Sequence, residues 1–208
     1  MAERRMRGPG ERWTRRSYAG ETVDVARRML GAYLVHASPD GSTAGRIVEC
    51  EAYLGEHDPA AHSHRGETRR NAAMFGAPGT AYVYFVYGVH DCFNVVTAPR
   101  GIGQAVLVRA LEPFAGLDLM TKRRGGVELG RLCRGPGNLA RAMGIAPSHN
   151  ATELARGALG IFSALEGPPR SSAIVTTQRV GLTRAAHLPL RFCLRGCAFV
   201  SAKRPHAS

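Results

Sequence analysis

The chain has 208 residues, 44% of them hydrophobic, enough to bury one sizeable core, so a single domain is expected. A formal net charge of +12 and a pI near 10.4 make a polyanion the best-fitting partner. No stretch approaches the roughly 20 apolar residues of a membrane span, the N-terminal arginines are followed by no apolar signal core, and the five cysteines form no CxxC pair, which argues against membrane, secreted and disulfide-framework classes. The expectation is a cytoplasmic, nucleoid-associated protein with free thiols and no signal peptide.

Residues 1–17, with six arginines, two glycines and a proline, read as a basic, disordered arm. From Gly20, the spacing Val23, Ala26, Arg27, Leu30 predicts a short amphipathic helix that Gly31 ends. AYLVH reads as a strand, Pro39-Asp40-Gly41 as a turn, and GRIVECEAYL as the second arm of a hairpin. Alternation in that arm puts Glu49, Glu51 and Tyr53 on one face and Val48, Cys50 and Ala52 on the other. Between Gly55 and Gly76 no period survives, and a long irregular loop rich in His and Arg is expected, of the kind that often carries function.

Pro78-Gly79 marks a turn, and AYVYFVY is a β-branched and aromatic run ending at Tyr87-Gly88, so Tyr87 is expected at a hairpin tip. The return strand carries Asn94. A third strand, QAVLVRAL, holds Arg109 on the face of Ala105 and Leu107, where a charge requires a partner. Pro113 is expected to open a helix, FAGLDLMTKRR, that stops at Gly125-Gly126, and PGNLARAMG reads as a second helix with Pro136 in its first turn. Beyond Gly157 the chain reads as short strands: LGIFSAL, IVTTQRVGL, LRFCLRG and CAFVSA. The expected fold is α+β: a single domain at 18–208 with a mostly antiparallel, curved sheet, flanking helices and a protruding β-hairpin.

Several chemistries fit these residues. Glu51 beside Tyr53, with Arg109 on a neighbouring strand, suits a base that deprotonates a water, although Glu51 equally suits a structural ion pair with Arg109. Tyr53, Tyr82, Tyr84 and Tyr87 offer flat faces for a planar ligand such as a nucleobase, or ordinary rim packing. His57, Asp58, His62 and His64 fall within eight residues and could make a metal site, yet they have neither helical HExxH spacing nor a CxxC partner. GIGQ at Gly101 precedes a strand rather than a helix, so a nucleotide cofactor is not expected.

EAYLGxxDPAAH, Arg70-Asn71 followed by Met74-Phe75, PGTAYVYFVYG with Asn94 downstream, and VLVRALEP together resemble the alkyladenine (3-methyladenine) DNA glycosylase family. The likeness runs from about Tyr18 to Ser201 and includes LCRGPGNLARAMGI and RVGL. It implies a monofunctional enzyme that flips alkylated purines out of duplex DNA and hydrolyses the N-glycosidic bond, leaving an abasic site in base excision repair, with no metal or other cofactor. Its partner would be double-stranded DNA bearing alkylated or deaminated purines, and the protein a monomer whose hairpin enters the DNA. By position, Glu51 would be the general base, and Arg109 with the backbone carbonyl of Val180 would hold the water. Tyr53, Tyr84 and His62 would sandwich the base, with His62 also offering a hydrogen bond. Asn94 would discriminate against the 2-amino group of guanine, and Tyr87 would fill the gap in the duplex. His90, just past the tip, has no assigned role. The competing readings are a non-catalytic nucleic-acid-binding module and a metal-dependent hydrolase centred on His57, His62 and His64.

Overall fold

A computed structural model describes residues 6–86 and 90–201. Among the described residues nine strands make one antiparallel sheet. They are β1 (Pro9–Arg12), β2 (Tyr33–Ser38), β3 (Gly41–Tyr53), β4 (Ala81–Val86), β5 (His90–Val96), β6 (Ala105–Ala115), β7 (Leu159–Ala164), β8 (Ile174–Thr177) and β9 (Arg191–Leu194). Four helices accompany it: α1 (Arg15–Tyr18), α2 (Thr22–Met29), α3 (Leu117–Arg123) and α4 (Pro136–Met143). The α+β expectation, with a mostly antiparallel sheet, is met. The hairpin tip, Tyr87 included, lies outside the described residues.

The sheet runs β1-β7-β2-β3-β6-β5-β4, and β3 is its axis. Along one edge β3 pairs with β6 from Ala44 to Tyr53. Along the other it pairs first with β2, from Gly41 to Arg46, and then with β9, from Glu49 to Glu51. The stretch from Glu49 to Glu51 therefore has strands on both sides. Its backbone is satisfied and its side chains are taken out of water.

One main core joins α2 and α4 to the sheet, through Val25, Met29, Ile47, Val106, Val108, Leu139 and Met143 among others. Burial of side chains of this size contributes about 1.5–3 kcal/mol each. A smaller cluster of Ala61, Met74, Tyr82, Val96 and Ala105 lies under the aromatic residues Tyr53 and Tyr84. Gly144, in the left-handed region at φ 70°, ends α4.

Three expectations need correction. Within the segment expected as a disordered arm, β1 pairs with β7 and Arg12 donates to the carbonyls of Leu154, Gly157 and Leu159. There, arginine is spent on the chain's own backbone rather than left to solvent. Pro113 does not open a helix: it pairs with Gly45 near the end of β6, and α3 begins only after Gly116, at φ 73°. β5 reaches along β6 no farther than Leu107, so the missing proline N–H costs no ladder bond on that side. Of CAFVSA, the described residues Cys197 to Ser201 form no strand. Their polar backbone bonds sideways instead, the Val200 carbonyl to Arg134 and the Ser201 N–H to Glu49. Among the described residues no helix is long and apolar enough to cross a membrane.

Candidate active site

The site is built on β3 and β6. Glu49, Glu51 and Tyr53 share the β3 face that alternation predicts, and Arg109 reaches them from β6. The charge that looked out of character among strand hydrophobics is paired twice. Arg109 Nε donates to Glu49 Oε1 at 3.0 Å and Nη1 donates to Glu51 Oε2 at 3.2 Å.

Glu51 is fully buried (0% exposed). Oε2 accepts from the Tyr53 hydroxyl at 3.0 Å as well as from Arg109, and Oε1 accepts from the Val180 backbone N–H at 2.7 Å. Val180 touches Glu51 through its N–H, whereas the expectation was that its carbonyl would hold a water. An ionised carboxylate offers about four acceptor positions, and three are filled. The open one is on Oε1. Burial pushes the Glu51 pKa up, and it stays raised although Arg109, Val180 and Tyr53 pull it down.

The three partners of Glu51, namely Tyr53, Arg109 and Val180, line a cavity of about 310 Å³ together with His62, Tyr84 and Asn94 among others. The cavity's size is at the small end of ligand sites. Six of the eight predicted site residues therefore meet in one concavity, with Glu51 touching Tyr53, Arg109 and Val180. The eighth, Tyr87, lies outside the described residues. Asn94 donates from Nδ2 to the Tyr82 carbonyl at 3.1 Å, which fixes its amide on the cavity wall.

The aromatic wall is well supported. His62 and Tyr84 meet at 4.5 Å between centroids and 68° between planes, and His62 Nδ1 bonds the Tyr82 hydroxyl at 2.9 Å. A ring cannot enter between His62 and Tyr84 at that spacing, so the pair acts as a single wall. Burial, then the nearby Arg70, lowers the His62 pKa and so disfavours the charged ring. Its loop is pinned by Asn71, which donates to the carbonyls of His62 and Gly66, and by Ser63, which donates to the Gly103 carbonyl.

The histidine cluster comes apart. His57 is 83% exposed beside Glu56, His64 bonds the Glu56 carbonyl, and His62 faces the cavity. Asp58 turns away to Arg179, in a bidentate pair with both side chains fully buried. Among the described residues no three His, Cys, Asp or Glu side chains converge as metal ligands.

Sequence reasoning missed several supporting groups. Arg179 lies 4.7 Å from the Tyr53 ring centroid and donates to the Ala52 carbonyl, so it packs Tyr53 in place. Glu49 holds Arg109, Arg191 and Ser201 together. The signals were present: Glu49 shares a strand face with Glu51, and Arg179 is a lone charge beside Val180.

Comparison with known proteins identifies the family. The family profile described as methylpurine-DNA glycosylase (MPG) matches residues 16–198. A relative from Methanoculleus marisnigri, provisionally named a 3-methyladenine DNA glycosylase, is 54% identical over 187 residues, covering 89% of this chain and 96% of the relative. Relatives under the same provisional name come from Francisella tularensis (strain SCHU S4 / Schu 4), 43% identical over 88% of this chain and 95% of the relative, and from Carboxydothermus hydrogenoformans, 42% identical over 91% and 98%. A buried carboxylate, a paired arginine and an aromatic cavity, in a chain matched almost end to end, place this protein in the methylpurine-DNA glycosylase family, hydrolases that cleave N-glycosyl bonds in DNA repair.

Proposed function

We propose that the protein is a monofunctional glycosylase that takes a 3-methyladenine-type alkylated purine out of duplex DNA and hydrolyses its N-glycosidic bond, leaving an abasic site. The observation that carries this reading is Glu51: a fully buried carboxylate with a raised pKa whose three donors, Tyr53, Arg109 and Val180, all line an aromatic cavity.

In this reading the flipped purine lies between Tyr53 on one side and the joined wall of His62 and Tyr84 on the other. Unstacking costs a few kcal/mol, and least for a damaged, weakly paired base. Alkylation makes the purine a cation. Aromatic faces favour it, and neutral His62 adds no like charge. The water attacks the anomeric carbon from the open position on Glu51 Oε1, and Glu51 takes its proton while the base departs with the bond's electron pair. Arg109 and Val180, which both touch Glu51 and line the cavity, flank that water. A cationic leaving group needs no proton from the protein.

In this reading the strand is left uncut. Asn94, on the cavity wall, is the group that excludes the 2-amino substituent of guanine. Tyr87 fills the gap in the duplex. The substrate is double-stranded DNA with alkylated or deaminated purines, and the protein acts as a monomer in the cytoplasm.

The test is single-turnover release of 3-methyladenine from methylated duplex DNA, wild type beside Glu51→Gln, with EDTA present. Release by the wild type alone supports the reading. Release by Glu51→Gln removes Glu51 as the base, and activity that returns only on added metal points to the histidines instead.

A further inference from the structure

We infer that Glu49 is a positioning residue for the glycosylase reaction, holding the Arg109 guanidinium so that Nη1 is aimed at Glu51. The inference rests on Glu51 as the base. It begins from two glutamates, two residues apart on one face of β3, both fully buried yet satisfied to different degrees.

Glu49 Oε1 accepts from Arg109 Nε at 3.0 Å, Arg191 Nε at 2.7 Å and the Ser201 hydroxyl at 2.9 Å, and Oε2 accepts from the Ser201 N–H. Three of these donors converge on Oε1 and one on Oε2, so Glu49 is spent on anchoring two arginines and Ser201, whereas Glu51 meets one arginine and the cavity-lining Tyr53 and Val180. The same side chain is thus a clamp at one position and the candidate base at the other, a division set by environment.

The guanidinium is rigid and planar, so fixing two of its nitrogens fixes the third. Arg109 Nε rests on Glu49, and Nη2 donates to Ser201 Oγ at 3.2 Å, which itself donates to Glu49. Nη1 is left pointing at Glu51. The contact to Glu51, at 3.2 Å, is longer than the one to Glu49, at 3.0 Å, so the firmer grip is on the Glu49 side. Arg191 supplies the second positive charge. The group of Glu49, Glu51, Arg109 and Arg191 is therefore neutral in sum, and Glu49 is free to keep its charge: burial works against it, but Arg109 and Arg191 hold its pKa below the ordinary value.

The Glu49 charge also reaches Glu51. The titratable and charged groups facing Glu51 are Arg109 from β6, Glu49 and Tyr53 from β3, and Arg179 beside Val180, together with the thiols of Cys50, Cys92 and Cys193, whose pKa values burial pushes up. Of the charged ones, Glu49 alone is negative and raises the Glu51 pKa. Removing that charge lowers it.

The test is single-turnover release of 3-methyladenine from methylated duplex DNA by Glu49→Gln across pH 5–9, with DNA affinity and melting temperature measured on the same sample and Glu51→Gln run beside it. The expected result is a plateau rate down by about 100-fold, the scale of loss for a misplaced catalytic group. The acid limb moves to lower pH and DNA affinity is unchanged. A purely structural residue would lower the melting temperature and leave the pH profile where it was, and a folded Glu49→Gln with the wild-type profile and rate overturns the inference. Should Glu49→Gln fail to fold, Glu49→Asp keeps the charge while shortening the reach. A lower plateau with an unmoved acid limb then supports the inference, and a wild-type plateau overturns it. An active Glu51→Gln overturns the underlying reading of the base, whereas an inactive Glu51→Gln beside a wild-type-like Glu49→Gln overturns this inference alone.

Discussion

Tyr53 donates its hydroxyl hydrogen to Glu51 Oε2 at 3.0 Å while its ring forms part of the cavity wall. One side chain therefore serves both the ligand and the base. Tyr53→Phe keeps the ring and removes the donor. Because that donor favours ionised Glu51, the Glu51 pKa rises further, and the acid limb of the pH–rate profile moves to higher pH, opposite to the shift for Glu49→Gln. A loss of about 1–3 kcal/mol in stability accompanies the unmade hydrogen bond. Single-turnover rates from pH 5 to 9 and a urea melt read both effects; an unmoved acid limb refutes the assignment.

Arg179 and Asp58 form a bidentate pair with no exposed side-chain surface on either partner. Asp58→Asn leaves the guanidinium without its counter-charge, and breaking a buried pair costs about 3–5 kcal/mol. For a domain of this size that lowers the melting temperature by about 10 °C. Adding Arg179→Met to Asp58→Asn recovers part of the loss, since neither charge then stands alone. Thermal melts of the two variants measure the coupling.

His36 and His149 share a 3.1 Å Nε2···Nε2 contact. His36 Nδ1 faces the Met143 carbonyl at 2.8 Å, and His149 Nδ1 lies 3.1 Å from the Ala146 nitrogen and 3.2 Å from its carbonyl oxygen. Burial lowers the His36 pKa, with His149 and Arg123 adding to it against the pull of the Met143 carbonyl. The unfolded chain then binds this proton more readily. The contribution is complete above the unfolded value of about 6.5 and is lost as pH falls from there toward the folded pKa. Urea midpoints should decline over that window, and NMR titration of His36 should show a midpoint below 6.5.

A chain of net charge +12 acting on DNA should bind mainly through phosphates. With about six phosphate contacts, affinity for undamaged duplex falls by about 10³-fold between 50 and 200 mM salt. Fluorescence anisotropy over that range gives the slope; a flat response would mean the positive charge faces elsewhere.

Much of this architecture was legible because periodicity is local. Alternation in RIVECEAYLG placed Glu51 and Tyr53 on one face, and the glycine and proline punctuation bounded α2 and α4. An arginine among the apolar residues of β6 announced that it had a partner. What stayed hidden is what the chain brings from far away. Nothing in a period-two pattern distinguishes Glu49 from Glu51; that difference comes from Arg191 and Ser201. Asp58 sits among histidines, where a metal site is one of the competing readings, and its true partner, Arg179, lies far along the chain. Pro113 looked like a helix start because proline so often is one, and only the free edge of β6 makes a strand position tolerable there.

The separation of these partners along the chain bears on how activity appears in time. Glu51 meets Val180 across 129 residues, and Glu49 meets Ser201 across 152. Contacts between such distant residues form late, because closing the intervening chain costs entropy before it is rewarded. A chain that has formed β3 and β6 but not yet docked the later segments lacks the Val180 N–H on Glu51 and the Ser201 contacts on Glu49. Regained excision after dilution from denaturant should therefore lag behind recovery of the far-ultraviolet signal and coincide with the slowest folding phase, making catalysis itself a probe of when β3 acquires its last neighbours.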